Sequence, residues 1–108
     1  MQCVQVQFAI DDPAAGDAIV TDLLERRLIA CAQTVGPIAS RYWWDGAINA
    51  ADEVLILCKT ASDRLDAVIE SIRRGHPYET PEIIAFEIAG GIASYLDWIV
   101  AQTRVTPG

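Results

Sequence analysis

Two short runs, Val54-Leu55-Ile56-Leu57 and Ile83-Ile84-Ala85-Phe86, are apolar at every position. Runs of this length and composition read as buried strands rather than helices. A strand turns successive side chains to opposite faces of its sheet, so a run without polar alternation needs both faces covered. Any fold for this chain must therefore hide two sides of a sheet, not one.

The rest of the chain supplies cover for a single side. Val4, Val6, Phe8 and Ile10 alternate with Cys3, Gln5, Gln7 and Ala9, which is strand patterning. Asp12-Pro13 opens a helix predicted to about Leu28, with Ile19, Leu23, Leu24 and Leu28 as its apolar stripe. Cys31 to Tyr42 reads as a second strand, interrupted at Gly36-Pro37 by a bulge or bend. Asp45-Gly46 signals a hairpin into a third strand from Glu53 to Thr60. Ser62 caps a second helix whose Leu65, Val68, Ile69 and Ile72 share a face, and which Gly75 ends. A fourth strand covers Ile83 to Ile88, and a third helix starts near Gly91 or Ile92 with Tyr95, Leu96 and Ile99 on one side.

The order β-α-β-β-α-β matches the split βαβ, or ferredoxin-like, α+β arrangement, here with an extra C-terminal helix. Its antiparallel sheet carries both crossover helices on one face. With no linker or repeat, residues 1–108 form one domain. The second sheet face is then left for other copies of the chain, which predicts an obligate homo-oligomer. The alternative is that the third helix folds over that face.

A net charge of −7, from fifteen carboxylates against eight basic residues, disfavours nucleic acid as a partner. No run approaches the ~20 apolar residues of a membrane helix, and the Met1-Gln2-Cys3-Val4 start has no signal-peptide pattern. A soluble cytoplasmic protein is the expectation. Cys3, Cys31 and Cys58 are too widely spaced for a thiolate zinc motif and read as free thiols.

Chemistry concentrates in His76-Pro77-Tyr78-Glu79-Thr80-Pro81-Glu82. Each proline fixes its own φ and pushes the preceding residue toward extended backbone, so the segment is stiff and helix-free. His76, the only histidine, is the natural ligand for a copper- or zinc-type ion, with Tyr78 and Glu79 as binding residues beside it. The alternative is that His76 caps the second helix or bonds a neighbouring carbonyl. One histidine supplies a single ligand where zinc takes about four, so further ligands would have to come from another copy. No phosphate loop, catalytic triad order or His-Glu-x-x-His helix is present, and the chain does not read as an enzyme. An enzyme would have to pair Cys31 with His76.

His76-Pro77-Tyr78-Glu79, Ala30-Cys31-Ala32-Gln33, and Tyr42-Trp43-Trp44-Asp45-Gly46 followed by Asp52-Glu53 occur in this order along the chain. In order and spacing, from about Val4 to Trp98, they resemble the CutA divalent-cation-tolerance family. The resemblance implies a homotrimer associating through long hairpins around Trp43 and Trp44, and a part in the response to metal ions. It implies clefts between subunits in which Glu53 and Cys31 join Tyr78 and Glu79 as ligand-binding positions. Cys31 is otherwise a small residue at a helix–strand junction. The copper ligands described for the family are a cysteine near the end of the first strand and a histidine pair. This chain has Phe8 and Gly75 at two of those positions and keeps only His76. A trimeric signalling module of the PII type, taking an anionic effector and a partner protein, is the alternative function. The chain has no long partner-binding loop and a single lysine, which count against it.

Overall fold

The computed structural model describes residues 1–104, within the single domain expected over 1–108. Four strands form one antiparallel sheet in the order β2-β3-β1-β4. The strands are β1 (Cys3–Ile10), β2 (Cys31–Trp44), β3 (Ala47–Ala61) and β4 (Ile83–Glu87); the helices are α1 (Pro13–Glu25), α2 (Leu65–Gly75) and α3 (Ala93–Gln102). This is the α+β arrangement expected, split βαβ order and extra helix included.

The even positions of β1, with Ile56 and Cys58 of β3, face α1 and α2 and make the core with Ile19, Leu23, Val68 and Ile72. The odd positions of β1 lie on the other face, where register sets them beside Leu55, Leu57, Val35, Ile84 and Phe86. There α3 covers one end only: the Cys3 thiol donates to the Leu96 carbonyl, and the Cys31 sulfur lies 3.4 Å from the Tyr95 hydroxyl. Beyond α3, Val35, Ile84 and Phe86 stay exposed. The second face is therefore part-covered by the third helix and otherwise bare.

Several boundaries differ from the sequence expectation. Helix α1 stops at Glu25, not near Leu28. Arg27 adopts a left-handed φ of 57°, and the N–H groups of Arg27 and Leu28 bond back to the Leu24 and Leu23 carbonyls. Such a helix end usually carries glycine, and arginine gives no warning of it. Leu28 is buried by that turn, while Leu24 faces outward. Before α2, Ser62 to Arg64 form a 3₁₀ turn, and Ser62 makes no capping hydrogen bond.

The largest difference is the length of the central hairpin. β2 runs on to Trp44 and β3 starts at Ala47, so what reads as strand ends and a loop is one continuous ladder. Asp45 and Gly46, at φ 51° and 74°, close it as the two-residue turn that Asp-Gly favours. Register shifts between Val35 and Ile38, around Gly36-Pro37, where the bulge was expected. β1 pairs with β3 only from Val54 to Ala61. The rest of β3 and its partner form a two-stranded arm about 23 Å long.

Candidate functional site

Gly75 ends α2, and His76 follows as its C-cap with the extended ψ of 133° that a residue before proline adopts. This turns the imidazole inward. His76 is buried, edge-on to the rings of Phe8 and Tyr78. The Tyr78 backbone N–H donates to Nδ1 at 3.1 Å, which leaves Nε2 to carry the proton and donate to the Ala9 carbonyl at 2.7 Å. Both ring nitrogens are thus committed in a neutral imidazole. His76 occupies the C-cap position of α2, but its imidazole bonds the Ala9 carbonyl of β1 rather than any carbonyl of the helix.

Held by that imidazole, Tyr78 reaches across the end of β1. Its hydroxyl donates to Oε2 of Glu53 at 2.8 Å. Burial, then the Glu53 bond and the nearby charge of Asp11, push the phenol well above its ordinary value of 10. Glu53 itself is only 8% exposed. It is the first β3 residue beyond the stretch paired to β1, so it sits where the sheet ends and the arm begins.

Glu53, Tyr78 and Glu79 border an open groove of about 870 Å³, together with Asp11, Glu82, Arg41 and the arm residues Tyr42, Trp43 and Trp44. Asp11, Glu79 and Glu82 stand exposed around it. Three of the four expected ligand-binding residues are thus brought together. Asp11 and Arg41 are additions that the sequence reading missed. Both follow from register alone, since Asp11 continues β1 past Ile10 and Arg41 lies beyond the bulge. Of the arm's acidic residues, Asp45 and Asp52 stay exposed and outside the groove lining.

Cys31 is not part of this group within one chain. It pairs with Lys59, six residues along β3 from Glu53, or roughly 20 Å. It also faces α3, whereas His76 packs on Phe8 on the opposite side of the sheet. Cys31 and His76 are therefore not a nucleophile–base pair in one chain.

A resident metal ion fits this donor set poorly. Among the described residues, no three His, Cys, Asp or Glu side chains converge as metal ligands, and the imidazole is already bonded at both nitrogens. The fold is an α+β domain with a long hairpin arm and an acidic groove at its root.

The family model for the CutA1 divalent ion tolerance protein matches residues 4–102. The rice chloroplastic protein CutA 1 is 35% identical over 94% of this chain, which spans only 57% of that relative's length. The divalent-cation tolerance protein CutA of Pectobacterium atrosepticum is 33% identical, with 86% of this chain and 84% of the relative aligned. The crystal structure of rice CutA1 superposes with a TM-score of 0.92 at 34% identity, covering 96% and 95% of the two chains. A structure described as the periplasmic divalent cation tolerance protein CutA of Archaeoglobus fulgidus gives 0.90 at 33%, covering 94% and 98%. The chain belongs to the CutA1 divalent ion tolerance family. The family model and the Pectobacterium relative are named for divalent-cation tolerance rather than by a reaction, and the family does not favour the PII-type alternative.

Proposed function

We propose that this chain acts in divalent-cation tolerance as a non-enzymatic homotrimer whose acidic grooves bind a cationic ligand from solution, divalent ions such as copper or zinc weakly among them. The observation that carries the reading is Glu53. It is more than nine-tenths buried at the groove, yet it takes part in none of the four ion pairs among the described residues. A carboxylate in that position favours an incoming cation. Glu79, Glu82 and Asp11 add negative potential at the mouth, which raises the local cation concentration.

Assembly is supported by the bare half of the sheet and by the arm. A lone two-stranded ribbon is marginal in water, and this one displays Trp43 at 72% and Ile48 at 68% exposure as a cross-strand pair. Packing the arm against neighbouring copies would cover both features and wall the grooves. His76 supports Tyr78 in this reading, and becomes a ligand only by giving up one of its bonds. A cytoplasmic location belongs to the same proposal, supported by three free cysteines, two of them buried, which suit a reducing compartment. No helix among the described residues is long and apolar enough to cross a membrane.

Titration calorimetry of metal-stripped protein with zinc and with copper tests the binding. Weak saturable heat that Glu53→Gln diminishes is expected. Absence of heat with either ion removes the metal-binding part of the reading.

A further inference from the structure

The part of the sheet that α3 leaves bare is not uniformly apolar. Strand register lays Phe86, Gln5, Lys59 and Cys31 in one row across it, and Ile84, Gln7, Leu57 and Gln33 in the next. Beyond them Ala9, Leu55 and Val35 are apolar again. Three amides and the chain's only lysine thus stand together on a face otherwise built of phenylalanine, isoleucine, leucine and valine. The Lys59 ammonium donates to Oε1 of Gln33 at 3.2 Å, and the Gln5 amide donates to Oε1 of Gln7 at 3.5 Å. Lys59 takes part in none of the four ion pairs among the described residues, so its partner is an amide oxygen rather than a carboxylate. Gln5, Gln7 and Lys59 are already half-buried in one chain. A purely apolar cover would strand them, because an ammonium carries three donors and each amide both donors and an acceptor, and burying such groups unpartnered is costly. The cover must offer donors and acceptors together. An amide is its own complement, and a second copy of this face brings three more.

We propose that Gln5, Gln7, Gln33 and Lys59 determine the specificity of self-assembly, as a polar cluster that admits further copies of the chain in one register only. In that register amides of facing copies bond one another while Phe86, Ile84 and the leucines pack. In a shifted register the Lys59 ammonium lies against a neighbour's apolar rows and loses its partners, which penalises the wrong arrangement. Single buried polar positions fix register and chain number in coiled coils in the same way, at some cost in stability. This inference rests on the homotrimer reading and adds what confines the assembly to one form.

The test compares the whole chain with two single variants, Gln7→Leu and Lys59→Met, by native mass spectrometry and sedimentation velocity. Each substitution exchanges a polar side chain for an apolar one of similar length, and each variant reads out independently of the other. The wild-type chain is expected as a single trimer. Each folded variant is expected to show a second stoichiometry beside the trimer. Lys59→Arg keeps the charge and the donors and is expected to remain a single trimer. Variants that form only the trimer overturn the proposal while leaving the homotrimer reading in place. Variants that fall to monomer also overturn it, since the cluster would then supply affinity rather than register. A mixture in Lys59→Arg overturns it too, by tracing the effect to altered packing instead of lost polarity. A monomeric wild-type chain removes both this inference and the homotrimer reading.

Discussion

His76 illustrates how a residue suited to one chemistry is used for another. Its imidazole is buried and doubly bonded, to the Ala9 carbonyl and to the Tyr78 N–H. His76→Ala leaves both backbone groups without their partner and opens a cavity against Phe8, so it is expected to lower stability by roughly 2–4 kcal/mol in urea unfolding. Tyr78→Phe removes a bond to a buried carboxylate and is expected to cost about 2 kcal/mol. The Tyr78 phenol also sets an alkaline limit. Its folded value is raised, chiefly by burial, so its contribution is complete below the unfolded value of 10 and is lost as pH rises above it. Unfolding free energy should therefore fall above about pH 10, and less steeply in Tyr78→Phe, as urea titrations at pH 8 to 11 would read. The proline-framed segment was legible because proline fixes backbone locally. The Glu53 partnership entered only through a family resemblance, and Asp11 and Arg41 not at all, because they meet through register between strands distant in sequence.

At the scale of elements, the existence and order of the strands and helices could be read from periodicity, while their ends could not. Helix α1 ends in a left-handed arginine, which no glycine announces. The central hairpin looked shorter than it is because Ala47, Asn49, Ala50, Ala51 and Asp52 have little strand character of their own. Their pairing with Trp44, Tyr42, Arg41, Ser40 and Ala39 holds them in the ladder. The turn is the sensitive point of the arm. Gly46 sits at φ 74° with nothing within 4 Å of where a Cβ would lie, so Gly46→Ala introduces backbone strain without a clash. A loss of roughly 1–2 kcal/mol is expected. Amide exchange should quicken in residues 38–53 of the arm and stay unchanged in β1.

For the whole molecule, the continuous apolar runs foretold a sheet with two faces to hide, and the fold hides one face and part of the other. Val35, Ile84 and Phe86 remain exposed beside half-buried Leu55 and Leu57. Phe86→Glu places a charge on that patch at 52% exposure in the single chain. It is expected to leave the far-ultraviolet spectrum intact and shift sedimentation from trimer to monomer, because the charge would be buried only on assembly. The central claim, an assembled protein with one cation-binding groove for each copy, is tested most directly by native mass spectrometry of metal-stripped protein, before and after adding zinc and copper. The account predicts an ion of three 11.8 kDa chains that gains up to three metals, with fewer bound in Glu53→Gln. A monomer, or a trimer that gains none, would contradict it.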